Sequence, residues 1–136
     1  RAAPNRRPGF ALTRRVFAPY AGKVDQLAET AEVAPGIRAV PTQGHSPGHS
    51  AHLIADGGQQ LMVIGDAATS AELFLPRPDR YPGFDMDPAT AVATRRALLD
   101  RLATDRIPFV AYHFAMPGLG RVERAGTGYR FVPASA

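Results

Sequence analysis

The sequence predicts a mixed α/β (α+β) fold in which hairpin-forming strands combine with one long helix. Two short glycine turns, at residues 56–58 and 126–128, separate runs of residues that favour strands. Between them, Asp87 followed by Pro88 is a typical helix start, because aspartate caps the first turn and proline fits its first position. Strands, helix and strands in this order predict a mixed sheet with flanking helices.

The N-terminal third is predicted to contain one helix and one short strand. Apolar side chains recur every four residues over residues 10–20, which is typical of a helix. The proline–glycine pair at 35–36 indicates a turn, and the run 37–40 after it predicts a strand. Residues 1–9 show no such period and are predicted to be irregular.

The central part is predicted to form a hairpin, a long loop and the main helix. Residues 50–55 and 60–64 are the two hairpin strands. A proline-rich segment then runs to the helix, and loops of this length beside a site often shape substrate access. Leucines on one arc of the helix should pack on the sheet. Arg95 falls inside that arc, and we expect its stem to follow the arc and its charge to reach water.

Composition and charge are those of an ordinary globular protein. The 136 residues are 45% apolar and 21% charged, and no stretch approaches the ~20 apolar residues of a membrane span. The net charge of +4 suggests nucleic acid, but no nucleic-acid motif accompanies the basic residues. We therefore expect neither a membrane nor a nucleic acid as partner. With no cysteine in the chain, both a cytoplasmic and a periplasmic location stay open.

Two histidines and one aspartate fall where metal ligands are expected. His45 lies in a loop rich in glycine and proline, Asp66 follows the apolar run 61–65, and His113 ends a second apolar run. Imidazole and carboxylate groups suit zinc and its first-row neighbours. Because functional groups in open sheets gather where strands end, the pattern predicts that these three side chains converge on a metal site.

These three residues stand in motifs that resemble those of the metallo-beta-lactamase-fold hydrolases. Residues 42–52 (TQGHSPGHSAH) are similar to the family's third metal motif, Asp66 to its bridging aspartate, and His113 to its last histidine ligand. The resemblance implies two divalent cations, with zinc as the first expectation and other first-row metals as alternatives. His45 would serve one cation and His113 the other, while the catalytic Asp66 bridges both. His49 is expected to stand behind these ligands and fix their orientation.

The resemblance also implies a reaction and a class of substrate. A hydroxide held between the two cations would cleave an ester, lactone or phosphotriester bond of a small molecule. Residues 113–120 and the hairpin ending at 128–133 are most similar to the methyl parathion hydrolase-like branch. Phe84 and Phe114 are candidates for an apolar substrate pocket, and ordinary core packing is the alternative for both.

Only part of the family's domain is represented. The resemblance covers about residues 8–133, but the family's leading metal motif, a histidine-x-histidine-x-aspartate-histidine run, is absent. It therefore implies a single partial domain over residues 1–136, the C-terminal half of a four-layer αββα sandwich. A lone half leaves one sheet face uncovered, so we expect the missing N-terminal half or a homodimer partner to cover it. We expect the fragment alone to be inactive.

Two other functions are compatible with the same residues. Residues 44–48 match the G-x-S-x-G nucleophile elbow, and Ser46, Asp66 and His113 come in the chain order of an α/β-hydrolase triad. Against this, Pro47 has no N–H to donate to an oxyanion, and a strand rather than a helix is predicted to follow. The third possibility is a non-catalytic remnant that acts as a structural or interaction module.

Overall fold

The computed structural model describes residues 7–134, and within them seven strands form one mixed sheet in sequence order. The strands are β1 (Glu32–Ala34), β2 (Ile37–Pro41), β3 (Ser50–Asp56), β4 (Gln59–Val63), β5 (Phe109–Val110), β6 (Leu119–Ala125) and β7 (Gly128–Pro133). The helices are α1 (Arg7–Phe17), α2 (Ala71–Phe74) and α3 (Pro88–Asp105), with 3-10 turns at Ala18–Tyr20 and Gly65–Ala67. The predicted mixed sheet with flanking helices is confirmed.

The sheet is antiparallel except at its centre, where β4 and β5 run parallel. The paired residues there are Met62 with Phe109 and Val63 with Val110. Parallel strands need a long crossover between them, and the segment from residue 64 to 108, including α3, provides it. The residues that follow β4 and β5 therefore leave the sheet at the same edge.

Most predicted elements form close to their predicted bounds, and the exceptions are short. The hairpin of β3 and β4 and the start of α3 lie where the turn and capping residues indicate, with the Asp87 side chain accepting from the Thr90 N–H. The three-residue strand β1 was not predicted, and α1 begins at Arg7, within the segment predicted to be irregular. The apolar run that ends at His113 contributes only the two residues of β5. Apolar runs near a site continue into loops, so their length overstates the strand.

The hydrophobic core lies between α3 and one face of the sheet. Leu98, Leu99 and Leu102 of α3 are buried against Met62 of β4 and Phe109 of β5. Burial of this kind supplies most of the stability of an amphipathic helix, because it removes large apolar surfaces from water.

Arg95 corrects the prediction made for it. Its side chain does not reach solvent along the helix face but is 2% exposed and buried beneath the long loop. Its guanidinium instead donates hydrogen bonds to loop carbonyl oxygens, and these acceptors replace the water that a buried cationic group would otherwise need.

The opposite face of the sheet has no layer on it within residues 7–134. Side chains alternate along a strand, so Leu61 and Val63 point away from α3 when Met62 points toward it. The apolar residues of this outer face are half-buried: Ile54, Leu61, Val63, Val110, Leu119 and Val132. The apolar residues of α1 and the segment after it are exposed: Phe10, Leu12, Val16, Phe17, Tyr20, Val24 and Leu27. No helix in the described range is long and apolar enough to cross a membrane.

Replacement of Leu99 tests the packing of α3 on the sheet. Leu99 is fully buried, so Leu99→Ala should lower the free energy of unfolding by about 2–5 kcal/mol. Leu73, which is 53% exposed, is the matched control, and Leu73→Ala should change it by less than about 0.5 kcal/mol. Urea unfolding followed by circular dichroism measures both, and equal effects would contradict the described core.

Candidate metal centre

Three side chains predicted as ligands meet at one edge of the sheet. The Nε2 atom of His45 lies 3.2 Å from Oδ2 of Asp66, and Nε2 of His113 lies 3.1 Å from Oδ1 of the same carboxylate. Each carboxylate oxygen thus faces a different imidazole. The side chains of His45, Asp66 and His113 are 24%, 26% and 41% exposed, so the cluster is open to solutes.

The parallel pairing of β4 and β5 produces this convergence. Asp66 lies three residues beyond Val63, and His113 lies three residues beyond its paired neighbour Val110. His45 reaches the same edge in the loop between β2 and β3, because the antiparallel β3 begins where β4 ends. Residues far apart in sequence are thus brought together by strand register.

His49 supports the backbone of Asp66 and faces protein at both ring nitrogens. Its Nε2 accepts the Asp66 backbone N–H at 2.9 Å, so the ring proton must sit on Nδ1. Nδ1 in turn lies 3.0 Å from the carbonyl oxygen of Thr42 and 2.8 Å from its hydroxyl. Burial lowers the pKa of His49, which favours this neutral form. His49 therefore holds Asp66 in place and has no nitrogen free for a cation.

Two glycines allow the chain to approach this closely. Gly65 has φ of +53°, and a Cβ on it would lie 2.8 Å from Nε2 of His49. Gly44 has φ of +126°, and its Cβ would lie 2.2 Å from the backbone nitrogen of Ala91 in α3. A side chain at Gly65 would push the His49 ring away, and a side chain at Gly44 would displace the loop or the helix, because real Cβ atoms do not come so near to other heavy atoms.

Asp85 and Arg95 complete the surroundings of His45, and the sequence analysis missed both roles. Oδ1 of Asp85 lies 3.0 Å from Nδ1 of His45, and Oδ2 lies 3.4 Å from Nη2 of Arg95. The Asp85 side chain is 1% exposed. An arginine inside an apolar helical arc was a usable signal, because a charge there requires a buried partner. Nothing distinguished Asp85 from other aspartates in the loop.

Tyr112 is a second residue that the sequence analysis missed. Its hydroxyl donates to Oδ1 of Asp66 at 2.8 Å, and its ring lies 4.0 Å from that of His113. The hydrogen bond to Asp66 raises the pKa of Tyr112. Tyr112 is 68% exposed, so it borders the open side of the cluster.

The two pocket candidates have different surroundings. Phe84 is exposed, and its ring packs edge-on against His45 with centroids 5.6 Å apart. Phe114 does not line a pocket: it is 6% exposed and packs against Phe109 and Phe131 in the core. The neighbouring side chain of His113 points toward Asp66, whereas that of Phe114 points into the core. The alternative of ordinary core packing holds for Phe114.

The surroundings of Ser46 do not favour the serine-hydrolase alternative. Nε2 of His113 faces Asp66 rather than a hydroxyl, whereas a triad requires the histidine between serine and aspartate. The backbone carbonyl of Ser46 accepts the N–H groups of Gly44 and His49 in a tight loop. A strand, β3, follows this loop, whereas a nucleophile elbow opens a helix.

The chemistry of the donor atoms fits cations between the imidazoles and Asp66. Asp85 can only accept, so it favours a proton on Nδ1 of His45, and a neutral ring with that proton presents a lone pair to Asp66. Two facing acceptors repel unless a proton or a cation lies between them. Two donors on one tetrahedral zinc ion lie about 3.3 Å apart. The observed separations of 3.2 and 3.1 Å are close to that value.

The set is nevertheless incomplete in residues 7–134. No group of three or more histidine, aspartate or glutamate side chains there is arranged to hold a metal ion. Each pair, His45 with Asp66 and His113 with Asp66, provides two donors, whereas catalytic zinc usually has three protein ligands. The described residues therefore fit part of a two-metal centre.

Replacement of Gly65 tests the contact between His49 and the backbone at Asp66. Gly65→Ala places a methyl group against His49 and should break its bond to the Asp66 N–H. Gly57→Ala is the matched control, because Gly57 has nearly the same φ, +52° against +53°, and open space around it. Both pay the left-handed backbone cost of about 1–2 kcal/mol. Only Gly65→Ala should change the ¹⁵N chemical shifts of His49, and unchanged shifts would contradict the described contact.

No protein-family model matches the sequence, and a search of curated proteins found no match. Solved structures do resemble the chain. A hydrolase of the beta-lactamase superfamily, AbOPH, has a TM-score of 0.87 and 26% identity over 98% of this chain and 48% of its own. AidC, a dizinc quorum-quenching lactonase, has a TM-score of 0.85 and 24% identity over 90% of this chain and 42% of its own.

A third similar structure is an N-acyl homoserine lactone hydrolase with its product bound at the catalytic metal centre. It has a TM-score of 0.53 and 26% identity over 65% of this chain and 34% of its own. The chain thus spans less than half the length of each of these three structures. Its structural neighbours are hydrolases of the metallo-beta-lactamase superfamily, and its fold is that of a part of their domain.

Proposed function

We propose that the chain is part of a dinuclear metal-dependent hydrolase that acts on a small ester or lactone. The observation that carries this proposal is the division of Asp66 between two imidazoles, His45 on one carboxylate oxygen and His113 on the other. A single bridging carboxylate with one histidine on each side is what two neighbouring cations require of their shared ligand. The dizinc neighbour supports two divalent cations here.

Each residue then has a distinct task. His45, Asp66 and His113 hold the cations, which when bound lower the pKa of a nucleophilic water and polarise the oxygen of the scissile bond. His49 holds the backbone of Asp66, and Tyr112 orients one of its carboxylate oxygens. No side-chain nucleophile is needed, which is why Ser46 takes no part in this scheme.

The substrate is proposed from the site's open side and from the neighbours. Phe84 and Tyr112 are exposed aromatic rings beside His45 and His113, and they suit an uncharged, partly apolar substrate. Two of the similar structures are lactonases, one with N-hexanoyl-L-homoserine at its metal centre. We therefore put lactones and esters first. A phosphotriester is the second candidate, because residues 113–120 resemble the methyl parathion hydrolase-like branch.

We further propose that a second polypeptide segment completes the centre. Each proposed cation lacks ligands within the described range, and the outer sheet face carries a groove of about 450 Å³ lined by Leu61, Leu119 and Val132. The remaining half of a four-layer αββα sandwich would cover this face and bring the missing ligands. A second copy of this chain could cover the face but would bring no leading histidine motif.

Replacement of the ligands in the complete protein tests the proposal. His45→Ala and Asp66→Ala should each reduce kcat/KM for a lactone by more than about 100-fold, because each removes a ligand of a catalytic cation. Ser46→Ala and, as a further control on β3, His52→Ala should keep most of the activity. A loss with Ser46→Ala at unchanged metal content would favour the serine-hydrolase alternative instead.

The chain by itself separates a partial centre from a remnant. We expect the purified 136-residue chain to bind zinc or cobalt weakly and reversibly and to hydrolyse no lactone, because two ligands per cation are too few. Metal content by mass spectrometry and equilibrium dialysis measures this. Turnover that persists through repeated purification would contradict the two-segment proposal. Complete absence of metal binding would favour a structural or interaction module.

A further inference from the structure

The buried guanidinium of Arg95 contacts five residues of the segment between β4 and α3. Nε donates to the carbonyl oxygen of Ala67 at 2.7 Å, and Nη1 donates to the carbonyl oxygens of Pro78 and Arg80. Nη2 faces Oδ2 of Asp85, and the Phe74 ring lies 4.7 Å from the guanidinium carbon. Burial lowers the pKa of Arg95, and the charge on Asp85 opposes that effect. This one side chain therefore gathers the whole loop onto α3.

Two contacts of Arg95 lie next to residues of the candidate metal centre, one beside Asp66 and one beside His45. Ala67 directly follows Asp66, and Asp85 carries the acceptor for His45 Nδ1. The backbone also connects the Asp85 segment to His45, since the N–H of Met86 donates to the His45 carbonyl at 3.2 Å. A shift of the guanidinium would thus move Asp85 relative to the His45 ring without touching that ring directly.

The Asp85 carboxylate favours one of the two tautomers of His45. Both carboxylates beside the ring have only acceptor atoms: Asp85 lies 3.0 Å from Nδ1 and Asp66 lies 3.2 Å from Nε2. Because Asp85 is nearer and only 1% exposed, against 26% for Asp66, it favours the proton on Nδ1 and leaves the Nε2 lone pair directed toward Asp66. In the other tautomer the proton would lie on Nε2, and that atom could not bind a cation. The orientation of the Asp85 carboxylate is therefore a condition for ligation by His45.

We propose that Arg95 is a positioning residue that holds the Asp85 carboxylate against Nδ1 of His45 and so keeps Nε2 available as a ligand. The inference rests on the proposed function for the role of that ligand atom, but the tautomer of His45 can be measured without metal. Arg95 acts through Asp85 and touches neither cation nor substrate.

The tautomer can be measured directly in the metal-free chain. With only four histidines, ¹⁵N-histidine labelling gives a spectrum in which two-bond proton–nitrogen couplings identify the protonated nitrogen of each ring. At about pH 8 with a chelator present, we expect His45 to carry its proton on Nδ1, the nitrogen that faces Asp85. A wild-type His45 protonated on Nε2 alone would overturn the proposal.

Three variants test the contact of Asp85 with His45 and the contact of Arg95 with Asp85 separately. Asp85→Asn keeps the shape but lets the new amide present its oxygen to Arg95 and its N–H to His45, so the proton should move to Nε2. Arg95→Met removes the guanidinium, and Arg95→Lys keeps the charge with fewer donors. Both should give mixed His45 tautomers, with the smaller change in Arg95→Lys, which is also the variant expected to fold if Arg95→Met does not.

Matched controls separate positioning from stability. Arg96→Met removes the neighbouring arginine, whose side chain is 50% exposed and pairs at the surface with Asp79. Leu99→Ala destabilises the same helix through the core. Neither should change the His45 tautomer, although Leu99→Ala lowers the free energy of unfolding. If folded Arg95→Lys and Arg95→Met show the wild-type His45 tautomer, Arg95 is structural only and the proposal is wrong.

Metal affinity gives the second readout. In the complete protein, Asp85→Asn and Arg95→Lys should weaken cobalt binding in competition with a chromophoric chelator by about 10–100-fold, and Arg96→Met should not. A changed tautomer with unchanged affinity would leave Arg95 as a positioning residue for His45 but contradict ligation by Nε2. Unchanged tautomer and unchanged affinity would overturn the inference while leaving the proposed function intact.

Discussion

The parallel pairing of β4 with β5 is the constraint on which the rest of the site depends. The pairing consists of only two residue pairs, yet Asp66 and His113 each follow the last of these pairs by three residues. Parallel pairing also forces a long crossover, and that crossover contains the loop with Asp85 and the helix with Arg95. The same topological requirement therefore brings Asp66 and His113 together and supplies the segment with Asp85, which contacts His45.

The site is organised by paired acceptors and donors rather than by burial of the ligands themselves. The Asp66 backbone N–H donates to Nε2 of His49, which places the His49 ring proton on Nδ1. Asp85 faces Nδ1 of His45 and favours the ring proton on that nitrogen. The three candidate ligand side chains are 24%, 26% and 41% exposed, whereas the Asp85 side chain behind His45 is 1% exposed. This division suits a centre that must exchange water and substrate but keep its ligands within a few tenths of an ångström of their working positions.

Stability and function meet in the segment between β4 and β5. Leu98, Leu99 and Leu102 anchor α3 in the core. The buried guanidinium of Arg95 holds the loop that precedes α3. A buried guanidinium is costly unless its donors are satisfied, and Arg95 meets that requirement with carbonyls that belong to the loop. On the opposite face, the sheet still presents half-buried apolar residues. Within residues 7–134, the sheet is thus packed against α3 on one face and has no layer on the other.

The sequence by itself determined the elements that depend on local chemistry. Glycine turns set the β3–β4 and β6–β7 hairpins, Asp87 and Pro88 set the start of α3, and motif spacing identified His45, Asp66 and His113 as candidates. Only the tertiary structure decided which neighbours those residues meet. Asp85, Arg95 and Tyr112 act across 40, 28 and 46 residues of sequence, through contacts to His45, Ala67 and Asp66. The physical reason is that a hydrogen bond depends on positions within a few ångströms, and strand register and helix packing, rather than local propensity, set those positions. The same holds for Phe114, whose place in the core follows from packing against Phe109 and Phe131.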